Sequence, residues 1–153
     1  MERIWIYQSN KELSEQELSI AENKLREFTE QWKAHGKELA ARAEIRYNRF
    51  VILFLNEALE AASGCSIDSS VRFLKAIEKE LNIDLFDRMH TAYFDGETVK
   101  TASRAELEQL LANGQINEDT LVFDNTVQNS KELSERWIVP MKESWHSKVF
   151  KLV

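Results

Sequence analysis

The chain alternates between two hydrophobic periods. Arg3 to Gln8 runs with period two, Ile4 and Ile6 on one side and Trp5 and Tyr7 on the other, which predicts a strand. Ser14 and Glu17 then form a Ser-x-x-Glu capping box. Leu18, Ala21, Leu25, Phe28 and Trp32 follow at helical spacing. They predict a helix of about 20 residues that stops at Gly36, where a left-handed residue costs little. Glu44 to Tyr47 alternates again, Asn48-Arg49 suits a two-residue turn, and Phe50 to Leu55 is apolar without a break, as in a strand covered on both faces. Val71, Leu74, Ile77 and Leu81 mark a second amphipathic helix. A strand from Met89 to Phe94 would complete the order strand, helix, strand, strand, helix, strand. That order predicts an α+β fold, a ferredoxin-like βαββαβ sandwich over residues 1–88 and the strand that follows.

The rest of the chain repeats these signals on a smaller scale. Asp95-Gly96 between two short alternating runs predicts a tight hairpin. Ser103 and Glu106 form another capping box, Leu107, Leu110 and Leu111 an apolar face, and Gly114 a stop. Thr120 to Phe123 reads as a strand, Glu132 to Trp137 as a helical turn or two, and Pro140 as the end of whatever precedes it. Residues 89–153 are expected to form a second α+β unit packed on the first, with no linker between them.

Composition narrows the function classes. The 153 residues carry 26 acidic and 20 basic side chains, a net charge of −6, with no basic stripe of the kind that releases counterions from nucleic acid. The longest apolar run is far short of the roughly 20 residues of a membrane helix, and the N-terminus has no signal-peptide pattern. The single Cys makes no internal disulfide, so the expected location is the cytoplasm. His35, His90 and His146 stand far apart and no Cys pair exists, so neither a metal nor a cofactor is expected. The four glycines are too dispersed for a phosphate-binding loop or a dinucleotide fingerprint.

One segment carries candidate chemistry. Ser63-Gly64-Cys65-Ser66-Ile67-Asp68-Ser69 lies where a buried strand gives way to a helix. Exposed backbone N–H groups and the helix dipole favour an anion there and activate a thiol, with Ser63, Gly64, Ser66, Asp68 and Ser69 as ligand-binding candidates and Cys65 as a nucleophile. The same residues are equally what a helix start requires for capping. A nucleophilic Cys65 needs a base; His35, read at a helix C-terminus, is the candidate, with His90 and His146 as others. Arg46 and Arg49 flank Tyr47 on the expected hairpin and can clamp a carboxylate or phosphate, although such arginines more often occupy exposed strand and turn positions. Trp145 and His146 near the chain end form a packed tail or a ligand-facing lip. An exposed cluster including Trp5 and Tyr7 would make a peptide groove, whereas core packing accounts for them equally.

Two resemblances add to this. Tyr93-Phe94-Asp95-Gly96, Ser103-x-x-Glu106-Leu107-x-x-Leu110, Gly114-Gln115-Ile116, Thr120-Leu121-Val122-Phe123 and Trp137 together resemble bacterial GYF-like domains over residues 89–140. The resemblance implies a small α+β unit with a proline-rich-peptide groove. The Gly-Tyr-Phe signature is absent and Phe123 stands where Trp is usual. The whole chain is also similar to an uncharacterised bacterial family, through Trp5-Ile6-Tyr7-Gln8-Ser9, Gln31 to Gly36, Ser63 to Asp68 and Ser144-Trp145-His146. Its members are often labelled "ABC transporter ATPase", an activity that would need the phosphate loop this chain lacks. The expectation is a small non-catalytic binding or adaptor protein with an unknown protein partner. The alternative is a small-molecule enzyme or anion-binding protein centred on Cys65. A free sheet edge would allow a homodimer.

Overall fold

The computed structural model describes residues 2–149. The chain divides into two compact units. The first runs to Phe86 and includes Gln128–Lys131; the second is Asp87–Val127 with the chain from Glu132 onward.

In the first unit, β1 (Glu2–Gln8) leads to α1 (Glu15–Gln31), started by the predicted Ser14/Glu17 capping box. The helix ends sooner than Gly36. Trp32 is its extended C-cap, and β2 (Lys33–Ala34) and β3 (Lys37–Glu38) form a minimal hairpin. Its turn is His35-Gly36, with φ of 53° and 78°, the positive pair a two-residue turn needs. Burial decides this departure: Trp32, Ala34 and Leu39 pack with Leu55, which a continued helix would not allow.

β4 (Ala40–Arg46) and β5 (Phe50–Asn56) follow, then α2 (Gly64–Leu81), which ends on Asn82 in the left-handed region. The turn between β4 and β5 has positive φ at Tyr47 and Asn48, one residue earlier than read from sequence, and Arg49 turns inward. The sheet order is β1-β5-β4, antiparallel throughout, with Ile4 and Arg42 both opposite Phe54. Every residue from Phe50 to Leu55 is buried, as its unbroken apolar run predicts. Val51, Leu53 and Tyr7 pack under Ala21 and Leu25 of α1 and Leu74 and Ile77 of α2. Burial of each large apolar side chain contributes about 1.5–3 kcal/mol. Trp5 and Tyr7 pack against this core rather than forming an exposed cluster.

The elements β1, α1, β4, β5 and α2 thus have the strand order expected of the sandwich, but the closing strand is not Met89–Phe94. The place beside β1 is taken by the returning segment: Ile4 N–H donates to Gln128 O (3.0 Å) and Arg3 bridges Asn129 in antiparallel sense. The expected strand has both its edges filled elsewhere: Thr98–Ser103 takes one, through a two-residue turn at Gly96-Glu97, one residue later than read from sequence, and Val122 pairs with Tyr93 on the other.

In the second unit, that strand is β6 (His90–Asp95), paired along its length with β7 (Thr98–Ser103). The Ser103/Glu106 capping box starts α3 (Arg104–Ala112). β8 (Leu121–Phe123), α4 (Ser130–Arg136, which begins within the returning segment) and β9 (Ile138–Pro140) complete a sheet of order β7-β6-β8-β9. Pro140 ends β9 at the sheet edge, where no ladder donor is needed. Tyr93, Ala102, Leu107, Ile116, Val122 and Met141 form one core. Phe94, Phe123 and Trp137 make an aromatic row, each neighbouring pair of rings 5.1 Å apart.

Candidate functional site

The start of α2 is built from serines. Ser63, the N-cap, accepts the Ser66 N–H on its hydroxyl (3.1 Å). Ser66 returns the favour: its Oγ accepts the Ser63 N–H (2.7 Å) and donates to Ser63 O (2.8 Å). Ser69 donates to Ser66 O (2.8 Å) and Ser70 to Ile67 O (2.6 Å). The Trp32 indole N–H also donates to Ser66 O (2.8 Å), which ties the end of α1 to the first turn of α2. Ser66 is buried, and the hydroxyls that sequence assigned to an anion are engaged with the helix's own backbone. Gly64, Cys65 and Asp68 face outward. A Cβ on Gly64 would meet nothing within 4 Å, so glycine is not required there by close approach. The carboxylate of Glu57 already lies at this end of the helix, accepting the Ala62 N–H at 2.9 Å.

Cys65 is therefore an exposed thiol on the first turn. His35 does not stand at a helix C-terminus as its predicted role required; it is exposed in the β2–β3 turn. Neither side chain makes a hydrogen bond or ion pair among the described residues, so no activating contact joins them. His90, at the start of β6, contacts Asp87 through Nδ1 (2.8 Å).

The two arginines do not form a clamp. Arg49 is buried and donates to Ser9 O (3.2 Å) and Asn10 O (2.9 Å), a structural role that sequence missed. Arg46 lies on the same side of β4 as Glu44, 3.3 Å away. Arg42 belongs to the same row: it grips Glu2 (3.0 and 3.2 Å), contacts Glu44 (2.7 Å) and stacks 3.8 Å above the Phe54 ring. The Glu2 hydrogen bond raises the Arg42 pKa. Partial burial works to raise that of Glu44, but Arg42 and Arg46 outweigh it and hold the carboxyl below its ordinary value.

The second unit holds the remaining candidates. Trp145 and His146 sit in a 3₁₀ turn (Trp145–Lys148) capped by the Ser144 hydroxyl, which accepts the His146 N–H at 3.1 Å. His146 is 2% exposed, its Nδ1 2.8 Å from Ser144 Oγ. Ser144 Oγ also donates to Met141 O (3.0 Å). Burial pushes the His146 pKa down to about 4, with the Asp124 carboxylate pulling the other way. Asp124 is itself buried, its Oδ1 accepting from Thr126 N–H (3.1 Å) and from the Thr126 hydroxyl, and Asp-x-Thr was its signal in the sequence. Trp145 stacks on the His146 ring at 4.1 Å and stays 41% exposed.

Among the described residues no cluster of three or more metal-ligating side chains exists, and no helix is long and apolar enough to cross a membrane. No protein-family model matches the chain, and no curated protein or solved structure matches it either.

Proposed function

We propose that this is a small cytoplasmic protein that acts by binding another protein, as an adaptor, rather than by covalent chemistry. The observation that carries the reading is the Trp145 turn. A large aromatic ring is held at the surface by a buried, hydrogen-bonded histidine beneath it, so little side-chain freedom is left to lose on contact. Rigid aromatic anchors of this kind dominate binding energies at protein interfaces. The resemblance to bacterial GYF-like domains agrees with a binding role and moves the surface. Phe123, which would line a proline-rich-peptide groove, is 2% exposed, so the contact is assigned to the Trp145 turn.

A second reading rests on Cys65. Its exposed thiol beside the outward-facing first turn of α2 favours a small anionic ligand or thiol chemistry. One experiment separates the two. The immobilised protein, its Trp145→Ala variant and its Cys65→Ser variant are compared for retained proteins, with folding checked by thermal melts. The binding reading expects a partner that wild type and Cys65→Ser retain and Trp145→Ala loses. It also expects Cys65 to react with iodoacetamide at pH 7 no faster than a thiol in an unstructured peptide. A thiol that reacts much faster, or a partner lost with Cys65→Ser, transfers the function to α2.

A further inference from the structure

The two edges of the first sheet are unequal. The outer edge of β1 is occupied by Gln128 and Asn129, whereas β4 ends the order β1-β5-β4 and pairs with β5 alone among the described residues. We propose that β4 pairs antiparallel with β4 of a second copy of this chain, about a two-fold axis through Ala43.

The backbone shows which groups are available. Ala41 N–H donates to Leu39 O (3.0 Å) rather than to β5. Ladder alternation then turns the N–H and C=O groups of Ala43 and Ile45, and the C=O of Ala41, away from β5. A self-pairing must bring these odd-numbered positions opposite one another, so its centre falls on a residue and not between two.

Charge selects the residue. A centre on Arg42 places Arg42 opposite its own copy, and a centre on Glu44 does the same for Glu44 while setting Arg42 against Arg46. A centre on Ile45 runs the ladder into the Tyr47-Asn48 turn, whose positive φ values are not strand geometry. The centre on Ala43 lays all of Ala40–Arg46 on itself. It places Arg42 opposite Glu44 of the partner subunit, and Glu44 opposite Arg42 of the partner subunit. These fall at non-hydrogen-bonded positions, where facing side chains come closest. On the helix-covered face, Ala41 meets Ile45 of the partner subunit and Ala43 meets its own copy, small residues that continue the core side of the sheet. Each copy donates from Ala43 to Ala43 of the partner subunit and from Ile45 to Ala41 of the partner subunit. Charged side chains on an edge strand ordinarily repel other chains; this alternation admits its own copy in one register.

Analytical ultracentrifugation of the full chain tests the proposal. Wild type is expected to show a concentration-dependent dimer. Ala43→Pro removes the donor at the axis, whose N–H makes no bond to β5, and is expected to abolish the dimer with the circular dichroism unchanged. Glu44→Arg turns both facing pairs into like charges and is expected to weaken association about tenfold or more. In a Cys65→Ser background, Ala43→Cys is expected to form a disulfide-linked dimer under mild oxidation, since facing Cα atoms lie within disulfide reach, while Ile45→Cys is not. A wild type that stays monomeric overturns the proposal, as does a dimer that survives Ala43→Pro. Should Ala43→Pro fail to fold, a dimer indifferent to Glu44→Arg, or cross-linking equally well through Ile45→Cys, overturns it instead.

Discussion

His146 ties stability to pH in a window that can be isolated. Its ring is buried and hydrogen-bonded to Ser144 through Nδ1, and the folded-state pKa is down to about 4 against an ordinary 6.5. The unfolded chain therefore takes up the proton first as pH falls. The stabilisation is complete above about pH 6.5, shrinks as pH drops through the interval, and is gone below about pH 4. At about 1.4 kcal/mol per pH unit the full effect is roughly 3 kcal/mol, of which about 2 is lost between pH 7 and pH 5. Carboxylates do not confuse this range. Glu17, held at about 2 mainly by the Ser14 N–H and Lys11, contributes stability present above 4.5 and lost only below it. Urea unfolding of wild type and His146→Asn at pH 7 and pH 5 measures the effect. The variant starts less stable, because Ser144 loses its partner, but the extra loss on acidification should disappear. An equal pH dependence in both proteins, or an NMR titration placing the His146 ring near 6.5, refutes the reasoning.

Two further substitutions distinguish scaffold from site. Ser66→Ala orphans the part-buried Ser63 N–H and breaks the reciprocal cap, and should cost about 1–2 kcal/mol in urea unfolding; a variant as stable as wild type would refute the structural role of this hydroxyl. Arg49→Met strips the donors from Ser9 O and Asn10 O at a buried position and should cost about 2–3 kcal/mol by the same assay, whereas an exposed clamp residue would cost next to nothing.

Local signals carried most of the fold. The capping boxes at Ser14/Glu17 and Ser103/Glu106 start helices where the spacing says they should, and the apolar run from Phe50 to Leu55 is the central strand of its sheet. Two departures came from non-local causes. Gly36 signals a left-handed residue, but a helix stop and a hairpin turn share that signal, and only the burial of Trp32, Ala34 and Leu39 beside Leu55 decides between them. The partner of β1 is likewise invisible in sequence, because Gln128 and Asn129 bear no strand pattern and reach it across more than a hundred residues.

The candidate site was harder to read for a chemical reason. A serine at a helix start offers the same hydroxyl to a phosphate oxygen as to its own backbone, and the residue types are identical in the two cases. What separates them is where each proton goes. Here Ser66 donates to Ser63, Ser69 donates to Ser66 and Trp32 reaches the same Ser66 carbonyl, so the cluster acts as a joint between α1 and α2. Ser66 stands three residues after Ser63, where a capping box ordinarily has Glu or Gln, and that substitution concealed the box. Ser144 shows the converse. A lone serine two residues before a histidine carries no motif, yet its hydroxyl orients the ring that supports the exposed Trp145. The surface proposed for binding therefore depends on a buried hydrogen bond that no pattern of residue types announces.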